Sequence, residues 1–201
     1  MQLINNKKFL SPTDLNKYLI CKHYINLEKK RLNNNEKKLT LENSLYKILA
    51  EKGLEHEIKY LKFLKRNYKN VKEIPEIIDY GERKQATLDV INSNMEVIYH
   101  PFIMSDNWVA VPDFFIKDAS NNKFTIVDAK LKKTLIPEHI YQSIMYALIA
   151  EEVFKVSILM AKIISPSTES NKFVEHSFLI KDYVSDIKDK MIELENYIDS
   201  N

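Results

Sequence analysis

The segment from residue 95 to residue 180 alternates β-rich runs with polar turns, and one helical stretch interrupts the series. The first three runs are rich in Val, Ile and Phe and follow one another through short turns, which predicts antiparallel neighbours. A helix that begins at Pro137 and ends at about residue 151 separates the third run from the fourth, as in a crossover connection. This order predicts an α/β domain with a mixed sheet. The predicted strands span residues 95–104, 108–117, 123–131, 154–164 and 173–180.

Helical patterns account for most of the remaining chain. A helix is predicted to start at Ser11, where a serine cap precedes Pro12, and to reach about residues 21–27 before a solvated loop at 29–39. The other predicted helices span residues 42–67, 82–91 and 182–198. The 201 residues show no repeat or linker, so they are expected to form one domain. Its predicted parts are N-terminal helices at about 11–69, a core at about 71–180 and a C-terminal helix.

The long helix at 42–67 carries an apolar stripe and two informative residues. The stripe consists of Leu45, Ile48, Leu49, Ile58, Leu61 and Leu64. Gly53 lies inside this pattern, where glycine costs about 1 kcal/mol relative to alanine, which predicts the close approach of another backbone. His56 follows one turn later between two glutamates, and by itself it is typical of an ordinary helix histidine.

Composition indicates a soluble globular protein without a strong global charge. Hydrophobic residues make up 45% of the chain and charged residues 29%, unlike a disordered protein. With a net charge of only +2, any nucleic-acid binding must depend on local lysine clusters. The single cysteine, Cys21, excludes an internal disulfide and an all-cysteine metal site, and it is expected to be buried. No apolar run is long enough for a signal core or a membrane span, which favours a cytoplasmic location.

Two aspartates and a lysine stand near the ends of neighbouring predicted strands. Alternate residues of a strand share a face, so Asp128 and Lys130 point the same way and Ala129 points the other way. A hairpin through residues 121–122 can bring Asp113 alongside them. Such charges among apolar residues are costly unless a divalent cation offsets them. Oxygen ligands suit Mg²⁺ or Mn²⁺, which acts as a Lewis acid and water activator in phosphodiester cleavage.

Short motifs in a fixed order resemble the PD-(D/E)xK nuclease superfamily, in particular the RecB-like nucleases that include the CRISPR-associated adaptation exonucleases. The resemblance covers residues 10–165 and begins with the helix opening at Leu10-Ser-Pro-Thr-Asp. The other motifs are Gly53-Leu-Glu-His56, Val111-Pro-Asp113-Phe, Ile126-Val-Asp128-Ala-Lys130 and Gln142-Ser-Ile-Met-Tyr146. Gln142 and Tyr146 lie one helical turn apart, and by themselves they are typical of a surface residue and a core residue.

The resemblance implies a restriction-endonuclease-like core, a mixed β-sheet flanked by helices. It implies that the carboxylates of Asp113 and Asp128, the backbone carbonyl of Ala129 and the ring of His56 bind Mg²⁺ or Mn²⁺, with His56 favouring manganese. Lys130 would orient the attacking water, help to deprotonate it, or offset charge on the phosphate. Gln142 and Tyr146 would support the site or contact nucleic acid.

Two departures from the family pattern limit what the resemblance implies. Members with an iron–sulfur cluster carry three further cysteines near the C-terminus, whereas no cysteine follows Lys130, so no such cluster is expected. Ala110 or Val111 stands where a glycine is expected before the first metal motif. No helicase is attached, so unwinding would need a helicase or another repair or defence protein as partner.

The sequence therefore predicts a metal-dependent deoxyribonuclease that acts on single-stranded DNA or duplex ends, by exonuclease action or by end processing. One alternative is a non-catalytic module of the same fold that binds DNA or another protein. The intact Asp113, Asp128 and Lys130 argue against this, since a module without activity would be free to lose one of them. A second alternative is an unrelated α/β interaction protein, which requires every motif to be a coincidence.

Overall fold

The structure is a computed structural model that describes residues 1–34, 36, 44–76, 79–118, 123–169 and 172–200. Its strands are β1 (Gln2–Ile4), β2 (Lys7–Phe9), β3 (Val71–Glu73), β4 (Val97–Tyr99), β5 (Ile103–Met104), β6 (Val109–Ala110), β7 (Phe114–Lys117), β8 (Lys123–Ala129), β9 (Ser157–Pro166) and β10 (Phe173–Leu179). Its helices are α1 (Pro12–Ile20), α2 (Lys22–Asn33), α3 (Ser44–Asn67), α4 (Tyr80–Ile91), α5 (Pro137–Phe154) and α6 (Val184–Ser200). None of the helices in the described ranges is long and apolar enough to cross a membrane.

Six strands form a mixed sheet in the order β10-β9-β8-β7-β4-β3. The neighbours β4, β7 and β8 are antiparallel, and β9 pairs with β10 in the same way. The crossover through α5 makes β9 parallel to β8, and β3 is parallel to β4. The predicted α/β class with a mixed sheet is therefore confirmed.

Helices cover both faces of this sheet. On one face, Tyr60 and Leu64 of α3 belong to an apolar cluster with Phe114 and Val127 of the central strands. On the other face, the buried side of α5 shares a larger cluster with Ile126 and other strand residues, and α1 and α6 pack against α5. Because both faces are covered, the central strands need apolar residues on both sides, which explains their nearly continuous apolar sequence.

Helix α3 runs antiparallel to β4 and extends past the end of that strand. The residues that follow its C-terminus lie beside the start of β4, where the N–H of Glu96 donates to the carbonyl of Asn70 at 2.9 Å. Glu57 lies at the other end, where the hydroxyl of Tyr99 donates to Oε1 of Glu57 at 2.6 Å. The preceding turns, residues 44–55, therefore project beyond the sheet by about 15–18 Å, at about 1.5 Å per residue.

This projection divides the predicted apolar stripe of α3 into a buried part and an exposed part. Leu64 is 1% exposed, whereas Ile48 is 51% exposed and Leu49 is 50% exposed. The prediction for Gly53 is wrong, because a Cβ atom at this position would meet no described atom within 4 Å. The glycine lies on the part of the helix that projects from the body, so it marks no close approach of another backbone.

The N-terminal region also differs from the sequence prediction. The hairpin of β1 and β2 was not predicted, although its turn residues Asn5 and Asn6 have φ values of 48° and 63°, as a type I′ turn requires. Cys21 is extended, with φ −158°, and separates α1 from α2, so residues 29–33 are helical. Cys21 is exposed and not buried. Residues 35, 37–39 and 121–122, parts of two predicted loops, lie outside the described residues.

Candidate metal centre

Asp113 and Asp128 are brought together by the pairing of β7 with β8. The register pairs Phe114 of β7 with Val127 of β8. The next residues along the two antiparallel strands, Asp113 and Asp128, are therefore opposite each other. The backbone N–H of Ala129 donates to Oδ2 of Asp113 at 2.6 Å. This hydrogen bond fixes the carboxylate of Asp113 at the end of β8.

Asp128 and Lys130 form an ion pair at the same end of the sheet. Asp128 is 1% exposed, and Nζ of Lys130 lies 2.5 Å from its Oδ2. Side chains alternate along β8, so Asp128 lies on the same face as Ile126, which packs toward α5. Ala129 lies on the opposite face with Val127, which packs toward α3. The lysine and the two aspartates therefore occupy one patch at the ends of β7 and β8, in which Asp128 is buried and the other two are half-buried.

Glu57 and His100 complete this patch from α3 and from the end of β4. The backbone N–H of His100 donates to the carbonyl of Asp113 at 2.9 Å, and its φ of 52° lies in the left-handed region. Nε2 of His100 lies 2.7 Å from Oε1 of Glu57. One ligand atom each from Glu57, His100 and Asp113 lies within 4.8 Å of the others, and this is the grouping of potential metal ligands found in the described part of the chain.

His56, which the resemblance implies as a metal ligand, lies outside this group of three. It is 6% exposed, and its Nε2 lies 3.0 Å from the carbonyl oxygen of Ile164 on β9. The backbone N–H of Lys130 donates to the same oxygen at 2.9 Å. His56 thus supports the strand beside the metal motif, and its neighbour Glu57 faces the carboxylates.

Electrostatics distinguish the charged groups of the patch. Burial and the charges of Asp128 and Glu57 hold the pKa of Asp113 well above its ordinary value. Burial alone would raise the pKa of Glu57, but hydrogen bonds from His100 and Tyr99 lower it below the ordinary value. Burial alone would lower the pKa of Lys130, but Asp128 raises it above the ordinary value. Lys130 is therefore an ammonium at neutral pH, and Glu57 is ionised.

Gln142 and Tyr146 face each other along α5, as their spacing predicts. Nε2 of Gln142 donates to the hydroxyl of Tyr146 at 2.6 Å, and Tyr146 is 7% exposed. Burial and the charge of the nearby Asp128 raise the pKa of Tyr146 well above its ordinary value. Tyr146 therefore borders the patch from the α5 side.

The donor set of the patch fits a hard divalent cation. Asp113 and Glu57 supply carboxylate oxygens within 4.8 Å of each other and of a ring nitrogen of His100. Asp128, opposite Asp113 in the β7–β8 register, adds a third carboxylate, and Ala129 follows it on the strand. Oδ2 of Asp128 is buried and lacks a well-directed hydrogen bond within the described ranges, despite the nearby ammonium. When all three carboxylates are ionised, the ammonium of Lys130 leaves excess negative charge, which opposes the ionisation of Asp113 and which a divalent cation would neutralise.

Sequence reasoning missed three residues near this patch, namely Glu57, His100 and His139. His56 and Glu57 are consecutive on α3, so their side chains point in different directions and only one of them can face the aspartates. The rotation of α3 about its axis, as it docks on the sheet, determines that this residue is Glu57. His100 reaches the patch because the backbone takes a left-handed conformation after β4, and the sequence pattern around it did not indicate this turn. His139 lies in the first turn of α5, and burial together with the charge of Lys130 lowers its pKa. Its position beside Lys130 follows only from the crossover geometry.

Comparison with known proteins adds little to this geometry. No protein-family model matches the chain, and no curated protein is significantly similar to it. Among solved structures, the chain is similar to the crystal structure of SSO0001, with 13% sequence identity and a TM-score of 0.37. The match covers 94% of this chain and 78% of that chain. A similarity of this size supports no inference about function, so the candidate site rests on the contacts described above.

Proposed function

We propose that this protein is a metal-dependent nuclease of the PD-(D/E)xK type, with a restriction-endonuclease-like core, that hydrolyses phosphodiester bonds in DNA. One observation supports the proposal above all: ligand atoms of Asp113, Glu57 and His100 lie within 4.8 Å of one another, beside Asp128 and its ion pair with Lys130 at the ends of β7 and β8. A fold that needs only stability gains nothing from one buried and two half-buried carboxylates in one patch.

In this proposal Asp113, Asp128, Glu57 and the carbonyl of Ala129 would hold Mg²⁺ or Mn²⁺. The ion would supply Lewis acidity and a water of lowered pKa. His56 is not included among the ligands, because its Nε2 faces the carbonyl of Ile164. The donor set is then rich in oxygen, which suits magnesium as well as manganese.

Lys130 and the α5 residues have separate roles in the proposal. As an ammonium, Lys130 would orient the attacking water and offset the negative charge that develops on the phosphate. It would not act as a general base, because Asp128 keeps it protonated. Gln142 and Tyr146 would position the Asp128 side of the patch. The proposed setting is intracellular, with a helicase or another repair or defence protein as partner.

The test is cleavage of end-labelled single-stranded and duplex DNA with Mg²⁺, with Mn²⁺ and with chelator. We expect cleavage with metal, none with chelator, and none with Asp113→Asn, which keeps the shape of the side chain. Asp106→Asn is the matched control, because Asp106 is an exposed aspartate in the turn between β5 and β6. Metal-dependent cleavage by Asp113→Asn at the parent rate would refute the site, and binding without any cleavage would favour the non-catalytic module.

A further inference from the structure

A second feature of α3 lies on the side of the helix next to β9 and β10. Here a groove of about 370 Å³ separates α3 from the strand ends. The helix lines one wall, and the other wall is lined by Pro166, Ser167, Phe173 and the ion pair of Lys172 with Glu169. The helix wall consists of His56, Lys59, Lys62, Phe63 and Arg66.

The helix wall carries three exposed cations on one face. Lys59, Lys62 and Arg66 follow the spacing i, i+3, i+7, which places them in a row along the groove. None of them forms an ion pair with an acid in the described part of the chain. Farther toward the N-terminus on the same face, Lys52 pairs with Glu55, and on another face Lys65 pairs with Glu73. Like charges in a row are mildly destabilising, so this row is suited to an external polyanion.

An aromatic ring stands among these cations. Phe63 is 38% exposed, and its ring centroid lies 5.5 Å from that of Phe173 and 5.7 Å from that of Tyr60. These contacts fix the ring while leaving part of it open to the groove. A cationic groove with a fixed aromatic ring is the usual arrangement for binding single-stranded nucleic acid, in which bases stack on the ring and phosphates meet the cations.

The groove leads toward the candidate metal centre. His56 lines the groove, and its Nε2 contacts the carbonyl oxygen of Ile164. Ile164 pairs with Ala129 across β8 and β9, and its carbonyl also accepts the N–H of Lys130. Adjacent strands are about 5 Å apart, so this end of the groove lies about one strand from the proposed metal ligand Ala129.

We propose that this groove binds single-stranded DNA and guides it to the metal centre. Phosphates contact Lys59, Lys62 and Arg66, and a base stacks on Phe63. A duplex fits less well, because its bases are stacked inside the helix and cannot reach a ring that lies within the groove. This inference rests on the proposed nuclease function of the neighbouring site, and it adds the form of the substrate and the path of the strand.

The test measures binding in chelator, where cleavage does not interfere. The anisotropy of a labelled thymidine 20-mer is followed for the parent and for the triple variant Lys59→Gln, Lys62→Gln, Arg66→Gln over a range of salt concentrations. We expect at least tenfold weaker binding for the variant, and a slope of log affinity against log salt that is smaller by about 2, since each phosphate contact on a single strand contributes about 0.7. Circular dichroism melting checks that the variant is folded.

A matched control removes the same number of charges elsewhere. The triple variant Lys30→Gln, Lys181→Gln, Lys188→Gln changes three exposed lysines on or beside helices at the opposite face of the sheet. It should bind like the parent. If both triple variants lose the same affinity and salt slope, or if neither loses any, the groove is not the binding path and the inference is overturned.

The role of Phe63 separates single strands from duplexes. Phe63→Leu keeps an apolar side chain but removes the stacking surface, and it should weaken binding of the single-stranded 20-mer by about fivefold to a hundredfold. Binding of a closed duplex hairpin should change by less than twofold. An equal loss for both DNA forms, or no loss for the single strand, would overturn the assignment to single-stranded DNA.

The binding assay also keeps this inference separate from the nuclease proposal. If DNA binding depends on the groove but Asp113→Asn cleaves like the parent, the groove stands and the site assignment fails. If cleavage depends on Asp113 while the groove variant binds DNA like the parent, the nuclease proposal stands and the groove inference fails.

Discussion

Nε2 of His100 lies 2.7 Å from Oε1 of Glu57, which joins the end of β4 to the middle of α3. The hydroxyl of Tyr99 donates to the same carboxylate oxygen at 2.6 Å. These two donors keep Glu57 ionised, and its carboxylate lies within 4.8 Å of a carboxylate oxygen of Asp113. A preformed arrangement of this kind would reduce the cost of ordering a ligand in the proposed metal binding.

The first prediction compares Glu57 with its neighbour His56. Removing a residue that only supports a metal ligand lowers metal affinity about 10–100-fold. Glu57 is proposed to be a ligand itself, so Glu57→Gln should weaken Mg²⁺ or Mn²⁺ binding at least tenfold. His56→Gln should leave metal affinity within about threefold of the parent and lower only the metal-free melting temperature, because His56 contacts a backbone carbonyl. The measurement is the rise in melting temperature with metal concentration.

The opposite result would support the family assignment of His56. If His56→Gln abolishes the metal-dependent rise and Glu57→Gln keeps it, the ring of His56 turns to the cation on binding. Glu55→Gln is a control on the same turn of α3, since Glu55 is exposed and pairs with Lys52.

The second prediction concerns metal-free stability and pH. The pKa of Asp113 is raised in the folded protein, so its contribution to stability is complete below its unfolded pKa of about 3.9 and is lost as pH rises through the folded value. Asp113→Asn cannot ionise, so the variant does not lose this stability as pH rises. Its amide oxygen can still accept the hydrogen bond from the N–H of Ala129. The variant should therefore be more stable than the parent at pH 7, by about 1 kcal/mol or more, equivalent to about 2–4 °C. Thermal melts in chelator from pH 4 to pH 8 measure the difference.

The difference should shrink toward pH 4, where the parent carries the proton that the amide replaces. Asp106→Asn should show no such trend, because Asp106 is exposed in a turn. A stability difference that stays constant across the pH range would show that Asp113 is not under electrostatic stress.

Much of the fold followed from local patterns in the sequence. The runs around Val127 and Ile163 are apolar enough to predict buried strands, and Pro137 begins α5 as predicted. The projection of α3 could not be predicted, because Leu49 and Leu64 have the same local pattern and only the length of the sheet separates them. The break at Cys21 was not predicted either, since residues on both sides favour helix.

The candidate site shows the same division between local and long-range information. Asp128 and Lys130 share a face because a strand alternates, so their relationship is readable from the sequence. The choice between His56 and Glu57 depends on the rotation of α3 about its axis when it docks on the sheet. His100 adopts the left-handed conformation itself; histidine is enriched there, but this preference is too weak to place the side chain at the site from sequence.

The third prediction concerns the ion pair of Lys130 with Asp128. Lys130→Met keeps the aliphatic stem but leaves a buried carboxylate without its cation, so metal-free stability should fall by about 1–3 kcal/mol. Cleavage should fall by about 10²–10³-fold, because the variant lacks the charge proposed to face the phosphate. Saturating metal should restore more stability to the variant than to the parent. Chemical denaturation with and without metal, alongside the cleavage assay, measures these effects.

Lys130→Arg is the matched control, since it keeps a positive charge that pairs with Asp128. It should retain most of the stability while losing activity, because the planar guanidinium places its charge differently from an ammonium. If Lys130→Met cleaves DNA at the parent rate, Lys130 has no part in the chemistry.

The fourth prediction compares two leucines of α3 that the sequence alone cannot distinguish. Leu64 is 1% exposed and belongs to the cluster with Phe114 and Val127, so Leu64→Ala should cost about 2–5 kcal/mol of unfolding free energy. Leu49 is 50% exposed on the projecting turns, so Leu49→Ala should cost no more than about 0.5 kcal/mol. Both changes remove the same atoms from the same helix, which cancels any difference in helix propensity. Urea denaturation of the two variants measures the contrast, and equal losses would mean that the projecting turns pack against protein in solution.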